Sequence, residues 1–172
     1  LVLALALITP TFGILAQEDV VLARIEEYSA AFPRGYGVIS IDDLNVMLVE
    51  KPVVLLDVRE VNEYEAGHIP ESFNVPIRTL AQNLDLLPDL NADIVVICKG
   101  GARAMMAMTA LHLLGYNNAR TLRGGYDAWV GDEMPTTTEP FTVEPGVAPA
   151  FDPVVLEALD AFLSGLPQGF SL

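Results

Sequence analysis

Two short, uninterrupted runs of aliphatic residues constrain the fold of this chain more than any other feature. Residues 53–56 read Val-Val-Leu-Leu and end at Asp57, and residues 94–97 read Ile-Val-Val-Ile and end at Cys98. Continuous apolar runs of this length are typical of parallel strands that are covered on both faces. Segments with helical spacing alternate with such runs, which predicts an α/β fold with a largely parallel sheet.

The apolar pattern and the positions of glycine and proline predict where each element lies. The predicted strands are 39–41, 53–57, 72–75, 94–97 and 119–122, and the predicted helices before the tail are 18–31, 43–50, 60–67, 77–87, 103–114 and 125–130. Asp42 is expected to cap the helix 43–50, and Gly115 to end the helix 103–114. Ligand sites in such sheets lie beyond the carboxyl ends of the strands, and Cys98 lies at one of those ends.

Cys98, the one cysteine of the chain, opens a glycine-rich loop between a predicted strand and a predicted helix. Backbone N–H groups and the positive end of the helix dipole favour an anion in such a loop. A thiol there should ionise readily, and the thiolate is the nucleophilic form. The candidate site is therefore Cys98 with the loop residues Lys99, Gly100, Gly101, Ala102 and Arg103.

Composition and charge exclude several classes of function. A formal net charge of −14 argues against binding nucleic acid or an anionic membrane surface through bulk electrostatics. No histidines and cysteines have the spacing of a zinc site, so neither a metal nor another cofactor is predicted. With 172 residues, just over half of them apolar, the chain suits one domain with extensions and does not need disulfides.

The first sixteen residues carry no charge and are mostly aliphatic. They are short for a membrane span and fit the apolar region of a secretory signal. We therefore expect residues 1–17 to be a signal or a membrane anchor, which places the domain outside the cytoplasm. A buried N-terminal helix is the third interpretation. Residues 18–37 would then form a helical extension before a domain at 38–135.

The tail, residues 136–172, is expected to be a proline-rich linker followed by an apolar helix at 154–163. Leu156, Leu159, Phe162 and Leu163 are predicted to share one side of this helix. The helix would either pack back on the domain or dock on a partner.

Five segments follow one another in a characteristic order. They are Leu55-Leu56-Asp57-Val58-Arg59-Glu60, Glu63-Tyr64-Glu65-Ala66-Gly67-His68-Ile69-Pro70, Asn74-Val75-Pro76, the Cys98 loop, and Leu122-Arg123-Gly124-Gly125-Tyr126-Asp127-Ala128-Trp129. Taken together, they resemble the rhodanese-like (sulfurtransferase) family of the single-domain type over about residues 39–135. The resemblance implies a five-stranded, mainly parallel sheet with helices on both faces, a persulfide on Cys98 and a structural role for His68. Asp57 and Arg59 are expected to support the loop as a nearby ion pair.

The loop itself refines the expected chemistry. Amides from Lys99 to Arg103 would bind the terminal sulfur of a persulfide, and Gly100 and Gly101 would let the backbone curl without Cβ clashes. Arg103 would add a planar cationic fork for an incoming anion, and Lys99 a more mobile charge. From Cys98 to Arg103 the loop has six residues. Related phosphatases and arsenate reductases have one more, so a phosphatase-like hydrolase is disfavoured.

The predicted function is sulfur transfer from a small anionic donor, such as thiosulfate or a polysulfide, through Cys98. The loop lacks the further basic and hydroxyl residues of classical thiosulfate enzymes, so the resemblance does not establish thiosulfate as the natural donor. Without a second cysteine the acceptor must be external: a small thiol, sulfite or another protein. The alternative is an accessory subunit of a membrane complex, suggested by the hydrophobic N-terminus and the apolar tail.

Overall fold

Five parallel strands form the centre of the molecule in a computed structural model that describes residues 12–30 and 37–169. The strand order is β1-β5-β4-β2-β3, and every neighbouring pair is parallel. The predicted five-stranded parallel sheet is therefore confirmed. The strands are β1 (Val38–Ile39), β2 (Val54–Asp57), β3 (Phe73–Asn74), β4 (Ile94–Ile97) and β5 (Ala119–Leu122).

Helices cover both faces of the sheet, as the aliphatic runs predict. Alternate residues of β4 enter different cores: Ile94 and Val96 lie in one cluster, and Val95 and Ile97 in the other. All four are buried, because each face of the strand meets a helical layer. The α-helices are α1 (Phe12–Ala30), α2 (Ile41–Glu50), α3 (Val61–Glu65), α4 (Ala102–Leu113), α5 (Gly125–Gly131) and α6 (Pro153–Ser164).

The two faces have different helical partners. The larger cluster packs α4 and α6 against the face that includes Leu56 and Val96. The smaller cluster packs α2 and Trp129 of α5 against the face that includes Leu55 and Val95. Helix α4 buries three alanines, at positions 104, 107 and 110, so its backbone can approach the sheet closely.

The starts of α2 and α3 differ from the sequence prediction because of their caps. Helix α2 begins at Ile41, and its cap is Ser40, whose hydroxyl accepts a hydrogen bond from the Asp43 N–H at 3.1 Å. The predicted cap Asp42 lies inside the first turn, where a carboxylate complements the helix dipole. Helix α3 begins at Val61 because Glu60 and Glu63 form a reciprocal capping box.

The predicted helix 77–87 is wrong as a continuous α-helix. The segment forms two short 3₁₀ helices, Ile77–Gln82 and Leu84–Leu86, separated at Asn83. The side chain of Thr79 donates to the carbonyl of Pro76, and that of Asn83 donates to the carbonyl of Thr79. Such local side-chain bonds compete with an α-helical ladder, so the segment adopts tighter turns.

Helix α1 begins at Phe12, six residues before the predicted start at residue 18. Among the described residues, no helix is both long and apolar enough to cross a membrane. The predicted signal or anchor at 1–17 falls mostly outside the described residues.

The tail returns to the domain. Residues 138–152 contain neither helix nor strand, and α6 then packs into the larger core cluster. Asp152 caps α6 through its side chain. The predicted apolar face is wrong in part: Val155, Leu159 and Leu163 are buried, whereas Phe162 is 53% exposed.

Candidate functional site

Cys98 lies immediately after β4, in the middle of the carboxyl edge of the sheet, and is 1% exposed. The N–H of Gly101 donates to its Sγ at 3.0 Å. Helix α4 begins at Ala102, so the N–H groups of its first turn lie next in the chain and have no partner within the helix. The predicted sequence of strand, loop and helix start is thus present around the sulfur.

Only one of the two loop glycines has a conformation that requires glycine. Gly101 has a φ of 115°, a region that side chains rarely adopt. Gly100 has no such φ, and a Cβ at either position would have no atom within 4 Å. The expected need for glycine at both positions is therefore corrected to Gly101 alone.

The start of α5 fixes the outer side of the loop. The N–H of Tyr126 donates to the Cys98 carbonyl at 2.8 Å, and the N–H of Asp127 donates to the Lys99 carbonyl at 3.0 Å. Gly125, with a φ of 60°, packs so closely that a Cβ would overlap the Cys98 oxygen. These bonds hold two loop carbonyls against α5 and away from the position of an anion.

Arg103 is bound by Glu63 of α3. Its side chain is 2% exposed, and its two terminal nitrogens donate to the two carboxylate oxygens at 2.6 and 2.9 Å. This bidentate contact raises the pKa of Arg103 and lowers the pKa of Glu63. Anion binding by Arg103 stays a prediction, and one edge of its fork already binds an internal carboxylate.

Asp57 and Arg59 form a buried ion pair at the end of β2. The Asp57 carboxylate is fully buried and accepts from Nε of Arg59 at 2.9 and 3.0 Å and from Nη2 at 2.7 Å. Burial raises the pKa of the Asp57 carboxyl, and the guanidinium opposes that rise. Arg59 also donates to the carbonyl of Gly67 and lies 4.1 Å from the ring centre of Tyr126. The pair therefore supports the loop indirectly, through Tyr126.

His68 has a structural position. It is fully buried, and its ring nitrogens lie 2.9 Å from the Tyr64 carbonyl and 3.0 Å from the Glu139 carbonyl. Its backbone pairs with Thr137 in both directions at 2.9 Å. A backbone carbonyl thus lies within hydrogen-bond distance of each ring nitrogen, and His68 joins the tail to the domain.

Sequence reasoning missed three contributors to the site: Glu63, Gly125 and Tyr126. Each lies in a segment that carries the family resemblance, but no local pattern assigns its contact. Glu63 stands three residues after Glu60, which is a signal for a capping box rather than for an ion pair with Arg103. Lys99 is exposed, and its side chain has no ion-pair partner among the described residues, so its part in anion binding stays a prediction.

Comparison with known proteins assigns the central part of the chain. The family model of the rhodanese-like domain matches residues 40–132. Thiosulfate sulfurtransferase 18 of Arabidopsis thaliana is 36% identical over 98 residues, covering 49% of this chain and 71% of the relative. A tRNA uridine(34) hydroxylase of Buchnera aphidicola is 34% identical over 106 residues, covering 58% of this chain but only 34% of the hydroxylase.

Solved structures agree with this assignment. A rhodanese-related protein from Thermoplasma volcanium superposes with a TM-score of 0.55 at 32% identity, covering 60% of this chain and all of the other. The human single-domain sulfurtransferase gives a TM-score of 0.52 at 28% identity, covering 56% of this chain and 97% of the other. The family match contains strands β2 to β5 and the Cys98 loop, whereas β1, α1 and α6 lie outside it.

Proposed function

The chain belongs to the family of rhodanese-like domains, and we propose that it is a sulfurtransferase whose Cys98 carries sulfur as a persulfide. Several of its relatives are sulfurtransferases by name. The observation that carries the proposal is the geometry of the loop. Cys98 lies directly after the central strand β4 and before the first turn of α4, and its Sγ accepts a hydrogen bond from the Gly101 N–H.

The first step is nucleophilic attack by the Cys98 thiolate on the outer sulfur of a donor. A new S–S bond forms at Cys98, the S–S bond of the donor breaks, and the rest of the donor leaves with the electron pair. The product is a persulfide anion on Cys98. Amide donors of the loop and of the α4 start stabilise that anion, since hydrogen bonds to charged groups contribute roughly 1.5–3 kcal/mol each.

The second step transfers the outer sulfur to an external nucleophile. An acceptor thiolate, sulfite or cyanide attacks that sulfur, and the electron pair of the broken S–S bond returns to Cys98 as a thiolate. No other cysteine exists in this sequence, so an internal disulfide cannot release the sulfur. A small thiol or a cysteine of another protein is the proposed acceptor.

Intact-mass measurement tests this function. The purified full chain is incubated with thiosulfate, a polysulfide or an alkyl persulfide, and we expect the mass of one sulfur atom to be added. Cyanide should remove it as thiocyanate. Cys98→Ser, which preserves the size of the side chain, should take up none. A folded wild-type protein that takes up no sulfur from any of these donors would contradict the proposal.

The place of the domain in the cell is a separate proposal. The uncharged residues 1–16 support a position outside the cytoplasm, either after signal cleavage or with an anchor. Cell fractionation with protease accessibility tests it, and recovery of the full-length chain in the cytoplasm would contradict it. The accessory-subunit alternative loses one of its supports, because α6 packs on its own domain.

A further inference from the structure

We infer that the sulfur donor is a singly charged persulfide of a thiol rather than the thiosulfate dianion. This inference rests on the proposed function and names the substrate class of the same site. It comes from the charges along the carboxyl edge of the sheet, where Cys98 lies. Most cations there are neutralised by carboxylates of the chain itself.

Three arginines at this edge are ion-paired. Arg103, the cation of the loop, is held by Glu63 with distances of 2.6 and 2.9 Å. Arg59 is held by Asp57 at 2.7 Å in an almost fully buried pair. Arg78 lies 3.5 Å from Glu60, which also caps α3. Each pair has no net charge, so the pairs provide little attraction for a dianion.

The remaining charges at the edge are two cations and three carboxylates, so they add no net positive charge. Lys99 and Arg123 are exposed, and neither has an ion-pair partner among the described residues. Asp127 of α5 is exposed close to this loop, since its N–H donates to the Lys99 carbonyl. Asp42 and Asp43 are exposed where β1 ends. The edge therefore has no excess of positive charge, and the net charge of the chain is −14.

The donors differ in charge throughout the reaction. Thiosulfate enters as a dianion and leaves sulfite, also a dianion, after its S–S bond breaks. A persulfide RSS⁻ enters as a monoanion, and the same bond change leaves the thiolate RS⁻ while Cys98 becomes the persulfide. Neither reaction needs an oxidant or a reductant. The charge of the chain as a whole is negative, so the doubly charged donor has about twice the unfavourable Coulomb energy of the singly charged one.

The shape of the loop also accommodates an organic donor. Gly100, Gly101 and Ala102 offer no side-chain hydroxyl or cation to a sulfonate group. A Cβ built on either glycine would have no atom within 4 Å, so the loop is uncovered where these Cβ atoms would point. The loop therefore leaves room beside these two glycines for the carbon substituent of a persulfide.

The test measures the second-order rate of sulfur uptake by Cys98 from thiosulfate and from cysteine persulfide, each at low and at physiological ionic strength. For the wild-type chain we expect faster uptake from cysteine persulfide, by about tenfold or more. We also expect the thiosulfate rate to stay level or rise with added salt, because salt screens repulsion.

Glu63→Gln releases the charge of Arg103 while keeping a residue that suits the capping box. We expect this variant to increase the thiosulfate rate about fivefold or more, and to make that rate fall with salt. The rate with cysteine persulfide should gain less, so we expect the ratio of the thiosulfate rate to the cysteine persulfide rate to rise about threefold or more. The matched control is Glu65→Gln, which removes an exposed carboxylate from the same helix and should leave the ratio of the two rates unchanged.

The outcomes separate the two proposals. Wild-type uptake from thiosulfate that equals or exceeds uptake from cysteine persulfide, or that falls with salt, would overturn the inference and leave the sulfurtransferase function intact. A ratio of the thiosulfate rate to the cysteine persulfide rate that does not rise in Glu63→Gln would also overturn it, and this ratio is insensitive to a loop disturbance that slows both donors alike. If neither donor adds sulfur to Cys98, the proposed function itself fails.

Discussion

Gly100 and Gly101 are adjacent in the loop after β4, but their backbones make different demands. Gly101 has a φ of 115° and donates its N–H to Sγ of Cys98, whereas Gly100 has an ordinary φ. Because Ala is strained at such a φ, we expect Gly101→Ala to lower the free energy of unfolding by about 1–3 kcal/mol. Sulfur uptake should slow by about tenfold or more as the amide shifts.

Gly100→Ala is the matched control for that prediction. Its new methyl group meets no atom within 4 Å, so the free energy of unfolding should change by less than about 0.5 kcal/mol. Urea unfolding and the rate of sulfur uptake measure both variants. Equal effects of the two substitutions would show that the loop conformation is not the one described.

Glu63 gives the loop a dependence on pH. The hydrogen bonds from Arg103 lower the pKa of the Glu63 carboxyl in the folded state. The ionised carboxylate therefore contributes to the free energy of unfolding above the usual glutamate pKa of about 4.3. This contribution is lost as pH falls through the lower, folded-state value. We expect Glu63→Gln to cost about 1–2 kcal/mol of unfolding free energy at about pH 7 and progressively less below about pH 4.

Urea unfolding at a series of pH values between about 7 and 3 checks this. Glu65→Gln, on the exposed side of α3, should change the free energy of unfolding by less than about 0.5 kcal/mol at pH 7. A cost for Glu63→Gln that stays constant down to about pH 3 would show that the charge of the carboxylate does not contribute.

Local sequence could predict Cys98 and its loop, because the end of an aliphatic run marks the end of a strand. It could not predict the partner of Arg103, since Glu63 is 40 positions away in the chain. The interpretation of Arg103 as an open anion fork came from its residue type alone. In the folded chain, one edge of the Arg103 guanidinium binds Glu63 of α3.

At the scale of elements, α5 works as a backbone clamp on the Cys98 loop. N–H groups of its first turn donate to the carbonyls of Cys98 and Lys99. The helix and the loop can lie this close only because Gly125 has no Cβ. Gly125→Ala should therefore push α5 away and disorganise the loop amides. We expect a loss of about 2–4 kcal/mol in unfolding free energy and at least a hundredfold slower sulfur uptake.

The same helix offers the control for this clamp. Gly131, the last residue of α5, has open space around a built Cβ. Gly131→Ala should leave sulfur uptake unchanged and raise the free energy of unfolding by up to about 1 kcal/mol, since Ala favours helix. Thermal unfolding and uptake rates compare the two. Normal uptake by Gly125→Ala would contradict the clamp.

Strands were predicted more accurately than helical segments, for a physical reason. Residues 94–97 were placed correctly because continuous burial requires a compact apolar run. Residues 119–122 were also placed correctly, although Arg120 in this strand is exposed. The segment 77–87 has enough leucine for a helix, but Thr79 and Asn83 divert backbone carbonyls into local bonds. The spacing of apolar residues in a sequence indicates which side chains are buried, but it does not distinguish a 3₁₀ turn from an α-helix.

At the scale of the whole molecule, the tail completes the core of the domain, which is one of the two arrangements that the sequence left open. Helix α6 is apolar on more than one side, so periodicity could not decide which residues face inward. In the folded chain Val155, Leu159 and Leu163 are buried against the domain, whereas Phe162 is exposed. The family match ends at residue 132, yet the larger hydrophobic cluster continues into α6.

This shared core predicts that α6 unfolds together with the sheet. Leu163 is 1% exposed, so Leu163→Ala should cost about 2–4 kcal/mol, whereas Phe162→Ala, at a half-exposed neighbour, should cost less than about 1 kcal/mol. Trp129, the one tryptophan, is buried in the cluster on the opposite face of the sheet. Its fluorescence therefore reports unfolding far from α6.

If the molecule is one cooperative unit, Leu163→Ala lowers the urea midpoint equally, whether unfolding is followed by fluorescence or by circular dichroism. A fluorescence midpoint that stays at the wild-type value would show instead that α6 unfolds independently of the sheet.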